Sequence, residues 1–473
     1  MTGRPRERTP YGMKDLVGGS DMRTLLVIGV LAGAAVVFGG GLSDEQYNKL
    51  TSDISKQVSA KNYDNVARMV GGLATDDSGR AVRFLLGLVG RVKDQVDVLS
   101  AIVDTLALMS GDEAVSALVS GMRSGSEKSK VVAVEGAAGV ASDKVTKALI
   151  KALEDSSELV AVSAARALGK RGDRAAISPM IEAMEKVEKR KRERVSVEIS
   201  MALERITGHS GPEAAVDWKG WWQSHKDQPL PRDTGVTTPS PFKPGRMRTT
   251  VFGRAIRSKR IIFVIDVSGS MEQADPPPKN WREEVEKKMR TTVWDPKEKK
   301  KKMKEAEKEM KNWKKERRRI YRVKKELTRV IKSLPKDTKF NIISFSDVLD
   351  RWKKSLAPAT DGNKANAIGW VEKLKADGLT HTDEALQEAF KDKQADTIIL
   401  LTDGAPTHIG GDAKPEWGGH EDSMALIKEI LEWVRKENRF RKVTIHTFGF
   451  MGANFEFLQE LSRENNGKFT DVK

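Results

Sequence analysis

Asp266, Ser268 and Ser270 stand in the pattern Asp-x-Ser-x-Ser directly after the apolar run Ile261–Ile265. One carboxylate and two hydroxyls on so short a turn form a cluster of hard oxygen donors. Such donors suit Mg2+, Mn2+ or Ca2+ rather than zinc. Two more oxygen donors follow. Thr380 lies in the loop Gly378–Thr382, ahead of the helical pattern Glu384–Phe390, and Asp403 follows a second apolar run, Thr397–Thr402. Short apolar runs bounded by turn signals read as buried strands. In an open α/β sheet the carboxyl ends of the strands form the ligand edge, and right-handed crossovers bring successive strand ends to it. The reading therefore gathers Asp266, Ser268, Ser270, Thr380 and Asp403 at one edge of one sheet.

These residues, in this order, resemble the von Willebrand factor A family and its metal-ion-dependent adhesion site: Asp-x-Ser-x-Ser, a loop Thr, and an Asp ending a later strand. The resemblance runs from about Val251 to the C-terminus and is interrupted by one long insertion. Leu379 stands where many members carry a second glycine, which implies a small loop shift without loss of the site. The resemblance implies Ser268, Ser270 and Thr380 as neutral ligands, with Asp266 and Asp403 balancing charge, often through water. With few carboxylates on the ion, one coordination position stays open for an Asp or Glu of a protein partner. It implies metal-dependent binding and no reaction. A scaffold is the alternative, in which the helical repeats and the basic insertion bind partners and the metal only stabilises a loop.

His-Glu-x-x-His, Gly-x-Ser-x-Gly and Gly-x-x-x-x-Gly-Lys-Ser/Thr do not occur. Asp266 and Asp403 could hold a hydrolytic metal, but no general base accompanies the hydroxyl-rich set. His408 and His420 lie in the loop Ala405–Glu421, where solvated side chains are expected, and His381 beside Thr380 would shape the rim of the site.

The elements that must position these groups alternate strand and helix. Lys339–Ser346 and Val443–Phe448 read as strands, and Asn363–Lys375, Ser423–Glu437 and Phe455–Asn465 as helices, with a short last strand at Lys468–Asp471. That alternation predicts a doubly wound, mainly parallel sheet. The insertion follows the first motif. Pro276, Pro277 and Pro278 lead into 279–326, which holds 21 Lys and Arg against 10 Asp and Glu, a net +11 of the chain's +16. Glu283–Met289 and Pro296–Lys325 read as helices with few core positions, and Trp281, Trp294, Met303, Met310 and Trp313 are interspersed through the stretch. The core periodicity resumes at Ile320, Val323, Leu327, Val330, Ile331 and Leu334. A solvated helical hairpin is one reading of this stretch. Contact with anionic lipid or a cell-wall polymer is the other, and nucleic acid fits an exported protein least well.

The N-terminal half reads differently. The segments ALVSGM at Ala117, ALIKAL at Ala148 and PMIEAM at Pro179 start 31 residues apart, each after an Asp-containing turn. Helix, turn and helix at that period resemble short HEAT repeats of an α-solenoid, with an earlier unit over Tyr63–Val92. Trp218, Trp221 and Trp222 are expected to cap the last repeat, and the prolines of Pro229–Pro244 read as a linker. Thr24–Leu42 carries no charge, follows Arg4, Arg6, Arg8, Lys14 and Arg23, and precedes Asp44 and Glu45. It reads as a membrane anchor with the body outside the cytoplasm, or as a signal peptide cleaved near Ala32-Gly33-Ala34. The pattern is that of a bacterial-type membrane-attached or exported protein. The expected organisation is a leader at 1–42, HEAT-like repeats at 43–207, a linker at 208–250 and an A-like domain at 251–473 with its insertion at 275–318. The 473-residue chain has no Cys, so neither disulfides nor thiolate metal sites enter.

Overall fold

The computed structural model describes residues 41–209, 212–230, 249–277, 296–407 and 420–473, with isolated positions between 280 and 287. The run Thr24–Leu42 thus lies outside the described residues except for Gly41 and Leu42, as do Ala32-Gly33-Ala34, Trp281, Trp294 and His408. Most of Pro229–Pro244 and most of Glu283–Met289 also lie outside them. Among the described residues, no helix is long and apolar enough to cross a membrane.

The helical part comprises α1 (Asp44–Ser59), α2 (Tyr63–Val70), α3 (Gly79–Val92), α4 (Val96–Ala107), α5 (Asp112–Arg123), α6 (Glu127–Ala137), α7 (Asp143–Ala152), α8 (Glu158–Arg171), α9 (Ile177–Lys189) and α10 (Glu193–Thr207). The three segments at 31-residue spacing fall on α5, α7 and α9, which alternate with α4, α6, α8 and α10. No helix of such a pair buries its apolar face alone, so neighbouring pairs stack into one continuous core. Corresponding helices of neighbouring repeats approach closely where one of them carries glycine. A Cβ at Gly136 would lie 2.6 Å from Leu106 Cβ, and one at Gly169 would lie 3.0 Å from Ala202 Cα.

Within the segment expected to be linker there is a further helix, α11 (Ala215–His225). Trp218 drives it. The side chain is 0% exposed, joins the repeat core and donates its indole N–H to Ser200 Oγ at 3.1 Å. The three tryptophans thus pack on the last repeat as expected, but as one helical face.

The α/β part begins with a hairpin of β1 (Thr250–Val251) and β2 (Arg254–Ala255). Its main sheet contains β3 (Arg260–Asp266), β4 (Lys339–Phe345), β5 (Leu349–Arg351), β6 (Ala357–Pro358), β7 (Thr397–Thr402), β8 (Thr444–Gly449) and β9 (Phe469–Asp471), in the order β5-β4-β3-β7-β8-β9, with β6 also on β4. The path β4-β3-β7-β8-β9 is parallel, and β5 and β6 add antiparallel edges. β5 and β6 were not legible in the sequence because two or three residues leave no alternation to read. Ile261, Phe263 and Ile265 face a core with α13 (Arg319–Ser333) and α14 (Asp361–Lys373). Ile262 and Val264 face another with α15 (Thr382–Lys391), α16 (His420–Asn438) and α17 (Phe455–Glu464). Cover on both faces is why β3 and β7 read as unbroken apolar runs.

The insertion departs from its expected form. Instead of one helix over Pro296–Lys325 there are two, α12 (Pro296–Arg317) and α13, broken at Arg318 with φ −58° and ψ 131°. The break is imposed by tertiary contacts. Arg318 pairs with Ala274 in an isolated antiparallel bridge, Asp275 N–H donates to Arg317 O at 3.1 Å, and Arg319 N–H donates to Gln273 O at 3.1 Å.

The two parts meet through charged groups at the amino ends of the strands. Arg260, which opens β3, pairs with Glu158 of α8 and with Asp396, the residue before β7. Arg166 of α8 forks onto Glu198 of α10 and donates to Lys442 O (2.9 Å) and to Thr444 Oγ1 (3.0 Å) at the start of β8. Asp97–Lys436, Asp104–Arg439, Glu135–Lys442 and Glu204–Lys468 extend the row. The helical part therefore seats against the edge opposite the carboxyl ends of β3 and β7.

Candidate metal centre

Asp266 closes β3 and is 0% exposed. The chain turns immediately beyond it, so Ser268 N–H donates back to Asp266 Oδ1 at 2.8 Å. Thr402 Oγ1, on the adjacent strand β7, donates to Asp266 Oδ2 at 2.5 Å. Ser268 and Ser270 bring their hydroxyl oxygens to 3.1 Å of each other, and Ser270 Oγ donates to Asp403 Oδ1 at 2.6 Å. Residues 137 positions apart in sequence, Asp266 and Asp403, thus share one hydrogen-bonded cluster because β3 and β7 are parallel neighbours.

The loop before α15 supplies the fifth group. Gly269 N–H donates to Gly378 O (3.0 Å), and Asp377 N–H donates to Val267 O (2.8 Å), which ties the two loops together. Thr380 N–H donates to Thr407 Oγ1 at 2.9 Å, and Thr380 O accepts from Thr407 N–H at 3.1 Å. A Cβ at Gly404 would lie 3.0 Å from Thr380 Oγ1, so glycine after Asp403 lets the threonine hydroxyl approach. Gly378 has φ +80°, a left-handed conformation that favours glycine. All the candidate residues, Asp266, Ser268, Ser270, Thr380 and Asp403, are therefore gathered at the carboxyl edge of the sheet. His381 lies beside them at the start of α15, its N–H donating to Ser346 O at 3.1 Å. His420 opens α16 at the end of the loop in which it was read.

The electrostatics of the cluster favour a cation. Burial, and then the charge of Asp403, push the Asp266 carboxyl up to about 6 against the hydrogen bonds from Ser268 and Thr402. Burial likewise raises Asp403 above the ordinary carboxylate range. Two buried carboxylates among the hydroxyls of Ser268, Ser270, Thr380 and Thr402 form an oxygen-donor set that fits a hard divalent ion. Among the described residues, no three His, Cys, Asp or Glu side chains cluster as metal ligands.

Three residues of the centre were missed in the sequence. Thr402 could have been found as the hydroxyl preceding Asp403 at the strand end. Arg319 and Asp275 carried no signal. Arg319 is 6% exposed and donates from Nη1 to Asp403 Oδ2 (2.6 Å) and from Nε to Asp275 Oδ1 (2.8 Å). It is separated from Ser270 by the insertion, and nothing in a run of basic residues marks one of them as buried.

Residues 315–471 match the family model described as von Willebrand factor type A domain, and residues 117–199 match that of HEAT repeats. The first match begins within α12, near the end of the insertion, and so does not include β3 or Asp266, Ser268 and Ser270. Among curated proteins, the chain is similar to von Willebrand factor A domain-containing protein 3B of Homo sapiens, 31% identical over 136 residues, covering 28% of this chain and 9% of that protein. It is also similar to inter alpha-trypsin inhibitor heavy chain 4 of Mus musculus, 28% identical over 145 residues, covering 28% of this chain and 14% of that protein. The chain thus spans only about a tenth of the length of these relatives. Among solved structures, a von Willebrand factor type A protein from Catenulispora acidiphila is similar at 16% identity and TM-score 0.29, covering 46% of this chain and 40% of that one. The PilB minor pilin from Streptococcus sanguinis is similar at 16% identity and TM-score 0.29, covering 46% of this chain and 58% of that one. The architecture is an N-terminal HEAT-like helical repeat region followed by a von Willebrand factor A-like, mostly parallel sheet.

Proposed function

We propose that this protein is a metal-dependent binding protein, holding Mg2+, or Mn2+ or Ca2+ in its place, through Ser268, Ser270 and Thr380 with Asp266 and Asp403, and capturing an acidic group of a protein partner. The observation that carries the reading is that buried Asp266 and Asp403 are linked through Ser268 and Ser270 into one cluster of carboxylate and hydroxyl oxygens. When bound, the ion supplies an electropositive position to which a partner carboxylate adds. The chain's own residues set that position. Asp266 is oriented by Ser268 N–H and Thr402, and Asp403 by Ser270 and Arg319. We include in the proposal that the body faces away from the cytoplasm, supported by the uncharged run Thr24–Leu42 and the basic residues before it. The similarity to inter alpha-trypsin inhibitor heavy chains supports binding in place of catalysis.

Titration of Mn2+ into the full chain tests the reading. One site is expected in the wild type and none in Asp266→Ala, with unchanged helical circular dichroism. Retention on immobilised polyglutamate in Mg2+ should be lost in EDTA. Equal Mn2+ binding by both proteins would overturn the assignment.

The scaffold reading has an observation of its own. Lys297, Lys300, Lys301, Lys304, Lys308 and Lys315 are exposed and fall within an arc of about 100° on α12. Glu305 and Glu307 border this row on either side, and Glu298 and Glu316 lie beyond it. A linear row of ammonium groups suits an anionic lipid surface or a cell-wall polymer. Retention on anionic vesicles that survives EDTA and Asp266→Ala, yet falls steeply with salt, would favour it.

A further inference from the structure

We infer that Arg319 is a positioning residue of the metal centre, which holds the charge of Asp403 back from the ion and so keeps the loaded site weak for metal and strong for an acidic ligand. The inference rests on the metal reading above. Its basis is an asymmetry between the two carboxylates. Asp266 is held only by neutral donors, the Ser268 N–H and the Thr402 hydroxyl. Asp403 has one oxygen on the Ser270 hydroxyl and the other on a buried guanidinium, at 2.6 Å each.

Charge-assisted hydrogen bonds of this kind are about twice as strong as neutral ones. Direct ligation through Asp403 Oδ2 would leave Arg319 half-paired inside the protein, which is costly. Arg319 has little freedom to follow a moving carboxylate. Its Nε is held by Asp275, its Nη1 also points at Ser270 O (3.3 Å), and its own N–H is fixed to Gln273 O. Asp275 is in turn paired with Arg322. The result is a chain of alternating charge, Asp403–Arg319–Asp275–Arg322, running from the centre to the neck of the insertion.

Charge counting gives the consequence. Asp266, Asp403 and Asp275 against Arg319 and Arg322 leave one negative charge, and a divalent ion turns this into one positive charge. Without Arg319 the loaded centre would be neutral. The guanidinium therefore opposes the ion and favours the anion that completes its shell, so binding of metal and of a carboxylate should reinforce each other.

The test compares Mn2+ binding by the full-length wild type, Arg319→Gln and Arg319→Lys, using the electron paramagnetic resonance signal of free Mn2+, with and without added succinate as the carboxylate probe. Arg319→Gln is expected to bind Mn2+ at least about tenfold more tightly than the wild type, since a unit charge about 6 Å from a divalent ion is worth that much even at the screening of bulk water. Succinate should tighten Mn2+ binding in the wild type and have less effect in Arg319→Gln, while Arg319→Lys should stay within about threefold of the wild type. Unchanged or weaker Mn2+ binding by a folded Arg319→Gln would overturn the inference, since a merely structural role predicts weaker binding. If Arg319→Gln does not fold, Asp275→Asn serves. It leaves Asp403 as the carboxylate partner of Arg319 and should weaken Mn2+ binding, and unchanged or tighter binding would overturn the inference. Absence of Mn2+ binding by the wild type would instead overturn the metal reading on which this one rests.

Discussion

A single hydroxyl governs how the buried charge of Asp266 is held. Thr402 Oγ1 donates to Asp266 Oδ2 from the neighbouring strand, and both side chains are buried. Thr402→Val keeps the shape and removes the donor. It should cost about 1–3 kcal/mol, the price of leaving a buried acceptor unsatisfied. Urea unfolding in EDTA measures this, and an unchanged midpoint would mean that water or a neighbour replaces the hydroxyl. His446 on β8 gives a prediction in pH. Burial, and then the charges of Arg254 and Lys468, hold its imidazole down at about 4, well below the usual value of 6.5. The folded protein therefore keeps His446 neutral where the unfolded chain protonates it. Stability from this group is present above about pH 6.5 and is lost as the pH falls toward 4, by on the order of 1–3 kcal/mol. His446→Gln should flatten the thermal midpoint over that window, and an identical slope in both proteins would refute the linkage.

Elements here are placed by close approach as much as by periodicity. α8 and α10 touch where Gly169 faces Ala202, with 3.0 Å left between a hypothetical Cβ and Ala202 Cα. Gly169→Val must push the helices apart. We expect about 1–3 kcal/mol of destabilisation, at the upper end because the neighbouring atom is backbone. Thermal melting by circular dichroism at 222 nm measures it, and a neutral result would show that the stack adjusts freely. The 31-residue spacing of the repeats was legible because each copy buries the same face. The break at Arg318 was not. A run of good helix formers continues through it, and only the Ala274 bridge and the Gln273 carbonyl end one helix and start the next. The two-residue and three-residue edge strands were equally silent, as was the helix that Trp218 anchors within a proline-flanked connector.

At the scale of the molecule, the helical part and the sheet are joined by ion pairs, several of them sheltered. Arg166 and Glu198 are 13% and 3% exposed at the side chain, so neither is well screened by solvent. Arg166→Met removes one partner and leaves Glu198 with Asn466 but without its guanidinium. We expect a loss of about 3–5 kcal/mol. Chemical denaturation should then show the α/β part separating from the repeats, and a single transition at the wild-type midpoint would show that the interface carries no energy. The seat lies at the amino ends of β3, β7 and β8, about 20 Å of strand away from Asp266 and Asp403. The repeats thus hold the sheet from behind and leave the oxygen cluster facing away from them.

The sequence by itself determined the fold class and which five oxygen-bearing side chains would meet at one edge of the sheet. Both rest on local signals: doubly buried strands read as apolar runs, and a strand-ending carboxylate followed by hydroxyls is recognisable without its neighbours. Parallel pairing and right-handed crossover then leave little choice about which strand ends meet. Only the tertiary structure decided what balances those donors. Arg319, Asp275 and Thr402 reach the centre through packing between elements far apart in the chain, and a buried arginine is indistinguishable in sequence from the exposed basic residues around it. The seat of the repeats on the sheet was equally hidden. Arg166, Glu158, Arg260 and Asp396 look like ordinary surface charges until two folded parts bring them together.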